Sequence, residues 1–224
     1  MNTQTTNTIV AIIGLGNIGR TVASNLAKGN HRVIVASRTL TKAQEFARSL
    51  GGNATAEAID TAIRKADVVI PAVYFDKIKD FLRTYAHALA GKVIVDVSNP
   101  IAPDAKGGYK KVIDQDLSAG KVLSDLTPEN AVLVKAFGTL GAASLQNGAF
   151  ARPERNILFY ASDSTNHNHQ IEELINASGF TPFHIGGIDQ SIRIEVFGDL
   201  HEFGALGKTV TLEEAKEAVS QLAN

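Results

Sequence analysis

Six residues, Gly14-Leu15-Gly16-Asn17-Ile18-Gly19, fit the pattern G-x-G-x-x-G between an apolar β-branched run and an amphipathic stretch. That strand, turn and helix context is what gives the pattern chemical meaning. Gly14 permits a tight turn, Gly16 lets a pyrophosphate approach the backbone, and Gly19 allows the following helix to pack closely. The helix opening at Asn17 offers free N–H groups and the positive end of its dipole to phosphate, with Leu15 and Ile18 completing the loop. About 20 residues on, an NAD site ends its second strand in Asp or Glu, which binds the ribose hydroxyls. Here that strand ends Ala36-Ser37-Arg38-Thr39, without a carboxylate. Arg38 offers a planar fork suited to a 2'-phosphate, Ser37 a hydroxyl donor, and Lys42 an ammonium one helical turn further on. The pattern reads as a dinucleotide site that takes NADP(H).

Alternating elements must position these groups. Strands are expected over Thr8–Ile13, Arg32–Ala36, Asn53–Thr55, Asp67–Ile70, Lys92–Val97, Glu129–Ala136, Asn156–Ala161 and Thr181–Ile185. Helices are expected over Asn17–Lys28, Thr39–Leu50, Glu57–Lys65, Phe75–Leu89, Asn166–Ser178 and Leu212–Leu222. The segment Ala102–Leu123, with Pro103, Gly107, Gly108 and Gly120, reads as a long surface excursion, and Asp189–Leu206 has mixed helical character. Strands that alternate with helices predict an α/β fold, a doubly wound and mostly parallel Rossmann sheet. Residues 1–150 are assigned to the NADP-binding domain and 151–224 to a smaller C-terminal α/β extension that completes the sheet and the acceptor site. Such sheets bind ligands beyond the carboxyl ends of their strands. The informative positions are therefore Gly14 onward, Ser37-Arg38, Pro71–Tyr74, Ser98-Asn99 and Lys135–Thr139.

Composition narrows the function classes. The 224 residues are 44% hydrophobic and 20% charged, with a formal net charge of -1 and no cysteine. This is ordinary globular composition, with no broad basic field for nucleic acid or an anionic membrane. Lack of cysteine excludes disulfides, thiolate nucleophiles and Cys-ligated metals. No apolar run reaches the ~18–20 residues of a membrane helix, and Met1–Thr8 lacks the features of a signal peptide. A cytoplasmic protein is the expectation, with no nucleic-acid or membrane partner.

The segments GLGNIG, ASRTLTK, DVVIPAV, VIVDVSNPI and VLVKAFGTLGA, in that order, resemble the NADPH-dependent coenzyme F420 reductase family and its bacterial relatives. The similarity runs from about Thr8 to Gly187, and the same fold occurs in the reductase domain of STEAP-type metalloreductases. The resemblance implies NADP(H) on the Gly14–Gly19 turn, with Ser37, Arg38 and Lys42 on the 2'-phosphate. It also implies that backbone at Ala72 and Val73 lines the cofactor, and that the nicotinamide lies near Asn99 and the Ala136–Thr139 turn. The acceptor it implies is a flavin or deazaflavin ring, with F420, FMN or FAD as candidates. Family members often carry Asn after the KAF phenylalanine; here Gly138 stands there, which is expected to widen that corner. The tail from Glu195, with FGDLHEFGALGK, departs from the family's usual end.

Hydride transfer between two rings needs proximity, orientation and exclusion of water more than a protonating residue. Two weak catalytic candidates remain. Lys135 either plays a polar role or snorkels to solvent from its strand end. Thr139 either donates to a ring carbonyl or caps the helix that follows. Asn99 either contacts the nicotinamide ribose or shapes the turn before Pro100. His167 and His169, two residues apart, do not share a helix face, and no metal site is expected. His201 and Glu202 read as a solvated tail or an interface contact, and His184 as a structural residue. Besides a hydride-transferring oxidoreductase, the short chain permits a non-catalytic NADP(H)-binding redox sensor or regulatory subunit. A reductase of small imines or β-hydroxy acids ranks lower, because such enzymes add a long helical domain. A homodimer is a further expectation, with Leu212–Leu222 packing on its own domain or on a second subunit.

Overall fold

The computed structural model describes residues 8–221; the expectations for Met1–Asn7 and for Leu222 at the end of the last helix lie outside the described residues. Strand β1 (Val10–Ile13) is wholly buried, as a β-branched run covered on both faces must be. Helix α1 (Asn17–Lys28) buries Val22, Ala23 and Leu26 and ends at Gly29. Then follow β2 (Val33–Ala36), α2 (Leu40–Leu50), β3 (Ala54–Ala56), α3 (Ile59–Lys65) and β4 (Val68–Pro71). The single helix expected over Phe75–Leu89 is two helices, α4 (Phe75–Thr84) and α5 (Ala86–Leu89). They part at Tyr85, whose backbone leaves the helical region (φ -107°, ψ 16°) while its ring packs on Phe81 at 5.0 Å.

After β5 (Val93–Asp96), the expected surface excursion is instead ordered. Strands β6 (Ile101–Pro103) and β7 (Tyr109–Lys111) form an antiparallel hairpin, followed by α6 (Ala119–Ser124), whose cap Ser118 accepts from the Lys121 N–H. Gly107 and Gly108, at φ of 93° and 77°, belong to the hairpin turn, so those glycines mark a tight reversal rather than a loose loop. The chain continues through β8 (Val132–Lys135), α7 (Ala142–Asn147), β9 (Ile157–Ser162), α8 (Thr165–Ala177), β10 (Thr181–His184), a 3-10 helix at Ile188–Ile194 and α9 (Leu212–Gln221).

Eight strands form one sheet in the order β10-β9-β8-β5-β4-β1-β2-β3. All pairs are parallel except β8 with β9, so the sheet is mostly parallel and doubly wound, as expected for a Rossmann-type fold. One face buries Val10, Ile12, Val35, Val68 and Val95 under residues of α1, α2, α7 and α8. The other buries Ala11, Ile13, Val69 and Ile94 under residues of α3 to α6. Each such Val or Ile removed from water contributes about 1.5–3 kcal/mol, which is what holds helices on both sides. The apolar side of α9, with Leu212, Ala215 and Val219, packs on Ile157, Phe159 and Ile194 of its own chain.

Candidate functional site

The glycine turn meets three separate demands. Gly14 adopts φ 106°, and a Cβ there would lie 2.5 Å from the Ala72 carbonyl oxygen. Gly19 lies so close to the Gly14 carbonyl that a Cβ would collide with it, and would also stand 2.9 Å from the Ala72 Cβ. Both glycines dock the turn against the end of β4. Gly16 differs: it is exposed, and nothing lies within 4 Å of where its Cβ would be. It is also the cap residue of α1, with no side-chain cap and no acidic residue in the first turn. Space, free N–H groups and a positive dipole end therefore coincide at one open spot, which fits a dinucleotide pyrophosphate.

At the end of β2, Arg38 and Lys42 are exposed, and among the described residues neither makes an ion pair. Ser37 donates its proton to the Thr39 carbonyl at 2.8 Å, so the donor expected from it is engaged in shaping the turn. Arg20, which directly follows Gly19, joins this region only in the folded chain. Its Nε donates to the Leu15 carbonyl at 3.0 Å, and its guanidinium carbon sits 4.6 Å from the centre of the Phe46 ring. Arg20, Lys42, Glu45, Phe46 and Ser49 line one open hollow.

The carboxyl ends of β5 and β8 are built differently. Lys135 does not snorkel: its side chain is fully buried and its Nζ lies 2.8 Å from Asp96 Oδ2, also fully buried. The Ser98 carbonyl accepts a further bond from Lys135, and Glu195 Oε1 stands 3.8 Å away. The cation is held by neighbouring strands and by the tail, because an unpaired ammonium could not remain in this interior. Glu195 in turn accepts from the Ala119 and Gly120 N–H groups at 2.9 and 3.1 Å. Burial pushes the Glu195 carboxyl above its usual range, with Lys135 and the two N–H groups pulling the other way.

Asn99 bridges three segments. Its Nδ2 donates to the Gly138 carbonyl, and its Oδ1 accepts from the Val196 N–H, both at 2.8 Å. Its side-chain amide is thus a structural clamp. Gly138 does not widen the corner: the Val97 carbonyl fills the place a Cβ would take, so glycine lets β8 close onto the end of β5. Ala136, Phe137, Gly138 and Thr139 are all buried, and Phe137 sits at φ 59°, a strained conformation for a bulky residue that only its surroundings enforce. Thr139 is not a helix cap; Gly141 is, and the buried Thr139 and Ser98 hydroxyls have no partner among the described residues. Ala72 and Val73, by contrast, are half-buried at the end of β4.

The tail covers this corner. Glu202 accepts from the Gly141 N–H and from Ser144 Oγ, the latter at 2.6 Å, so it caps α7 from a distance in sequence. His201 is 1% exposed rather than solvated, and its Nδ1 accepts from the Phe203 N–H at 2.9 Å. Burial pushes its imidazole down to about 4, against a smaller upward pull from Glu202. Elsewhere, His167 bonds Ser164 at 2.7 Å, His169 lies 3.6 Å from Glu173, and His184 stacks on Tyr160 at 4.8 Å. Among the described residues no group of three or more His, Cys, Asp or Glu could hold a metal ion. No described helix is long and apolar enough to cross a membrane.

Several known proteins are similar to this chain. Residues 9–100 match the family described as NADP oxidoreductase coenzyme F420-dependent. The chain is 30% identical over 186 residues to metalloreductase STEAP3 of Rattus norvegicus, covering 83% of this chain and 35% of that protein. It thus spans about a third of the length of that curated relative. The structure of a hypothetical protein from Sinorhizobium meliloti is similar with a TM-score of 0.77 at 27% identity, covering 91% of this chain and 95% of that one. A structure from Arthrobacter sp. FB24, provisionally described as an F420-dependent NADP reductase, shares the fold with a TM-score of 0.68 at 24% identity, over 82% and 87% of the two chains.

Proposed function

We propose that this chain, whose residues 9–100 match the NADP oxidoreductase coenzyme F420-dependent family, is an NADP(H)-dependent oxidoreductase that passes hydride between the nicotinamide and a flavin- or deazaflavin-type acceptor. One observation carries the reading: an open glycine turn stands beside two exposed, unpaired cations, Arg38 and Lys42, where an NAD site would hold a carboxylate. The first-turn N–H groups of α1 bind the pyrophosphate, and Arg38 with Lys42 holds the 2'-phosphate. Ala72 and Val73 line the path from the turn toward the nicotinamide end. When bound, NADPH supplies a hydride from its nicotinamide ring.

The protein's part at the reacting end is to orient two rings and exclude water. Lys135, buried and paired with Asp96, holds the end of β8 in place. Asn99 fixes the floor through Gly138 and ties the tail to it through Val196. A planar acceptor is favoured by three exposed aromatic rings near these strand ends: Tyr74 after β4, and Phe197 and Phe203 in the tail.

The test is steady-state oxidation of NADPH with F420, FMN and FAD offered separately. Turnover with one of them is the expected result. Tight NADPH binding without turnover on any acceptor would replace this reading with a non-catalytic cofactor sensor.

A further inference from the structure

We infer that Arg20 is a third cation for the phosphorylated ribose, reaching the 2'-phosphate from α1 while Arg38 and Lys42 reach it from the end of β2 and from α2. The inference rests on the NADP(H) reading above and adds a specificity-determining residue to it. Arg20 is exposed yet anchored twice, by its Nε bond to the Leu15 carbonyl inside the phosphate turn and by stacking on Phe46. A guanidinium fixed in this way loses little further freedom when it binds an anion. Both anchors leave its two Nη groups over, and among the described residues neither makes a hydrogen bond or ion pair. Lys42 lines the same hollow, and Arg38 stands two residues before the start of α2, exposed at the end of β2. Glu45 is the one carboxylate among the residues lining that hollow. Arg20 and Lys42 against Glu45 leave one positive charge in the hollow, and Arg38 at the end of β2 would bring a second toward a phosphate monoester of about -1.5 to -2. Phe46 itself is buried, and the face it offers to Arg20 gives a cation–π attraction that leaves the guanidinium's charge unneutralised.

Binding of 2',5'-ADP and 5'-AMP to the wild-type, R20M and R20K proteins tests this, since the two probes differ only in the phosphate. Methionine keeps the packing on Phe46 and removes the charge; lysine keeps the charge and removes the fork. R20M should weaken 2',5'-ADP about tenfold and 5'-AMP less than twofold, with R20K between R20M and wild type. Equal weakening of both probes would show that Arg20 only shapes the turn, and unchanged binding of both would show no role; either overturns the inference. A wild-type protein without preference for 2',5'-ADP overturns the NADP(H) reading and this inference together. A preference that survives R20M intact overturns the inference alone.

Discussion

Two regions at the carboxyl ends of the strands hold their charged groups in opposite ways. At the phosphate end Arg20, Arg38 and Lys42 are exposed, and no carboxylate pairs with them among the described residues. At the carboxyl ends of β5 and β8 Lys135, Asp96, Glu195 and His201 are buried and engaged with one another or with backbone. A charge kept in water and left unpaired is available to a ligand. A charge in the interior must be paired, and then it holds the fold. On the proposed NADP(H) reading, recognition belongs to the first region and architecture to the second, and variants at each separate the two roles.

The largest effect is expected at the buried pair. Lys135→Ala takes the buried ammonium away from Asp96, and should destabilise the protein by about 3–5 kcal/mol in denaturant unfolding. A loss below about 1 kcal/mol would mean that the pair does not hold β5 to β8.

His201 gives the next. Its folded value, pushed down to about 4 by burial, lies below the 6.5 of the unfolded chain, so its contribution is complete above pH 6.5. That contribution is lost as pH falls from 6.5 toward 4, up to about 3 kcal/mol. Glu195 acts in the opposite sense: its raised folded value gives stability that is present below 4.5 and lost as pH rises through that folded value. Unfolding of His201→Asn, measured across pH 4 to 7, should show a flatter acid limb than wild type. Parallel limbs would place the acid sensitivity elsewhere.

At the other end, Arg38→Ala should leave stability nearly unchanged. It should weaken NADPH by about 1.5–3 kcal/mol, roughly ten- to a hundredfold, with NADH within twofold. The smallest expected effect is at the residue where the two ends are easiest to confuse. Asn99→Ala removes two clamp bonds and should cost about 1–2 kcal/mol of stability while leaving NADPH affinity unchanged. A matching fall in NADPH affinity would put Asn99 on the cofactor instead.

What could be read in the chain before folding follows the same division. The glycine turn and the Ser37–Lys42 segment are local, so spacing alone exposes them, and the β-branched runs mark the strands because each is buried on both faces. Arg20 is local too, but a lone arginine on a helix looks like any solvated charge until Phe46 and Leu15 are seen beside it. The clamp was beyond reach: Asn99 meets Gly138 and Val196, and Glu195 meets Ala119, only after the chain has folded. Lys135 looked like a snorkelling lysine because its partner Asp96 lies on a different strand, and the register of β5 with β8 brings them side by side. Gly138 looked like a gap because the Val97 carbonyl that fills it is distant in sequence.

Cofactor choice at the open end depends on cations standing ready for a phosphate that NADH lacks. Calorimetric titration of the unmodified protein with NADPH and with NADH, at low and at high salt, measures this directly. NADPH should bind at least tenfold more tightly, with the gap narrowing as salt screens the charges. Equal affinities, or a preference for NADH, would contradict the account.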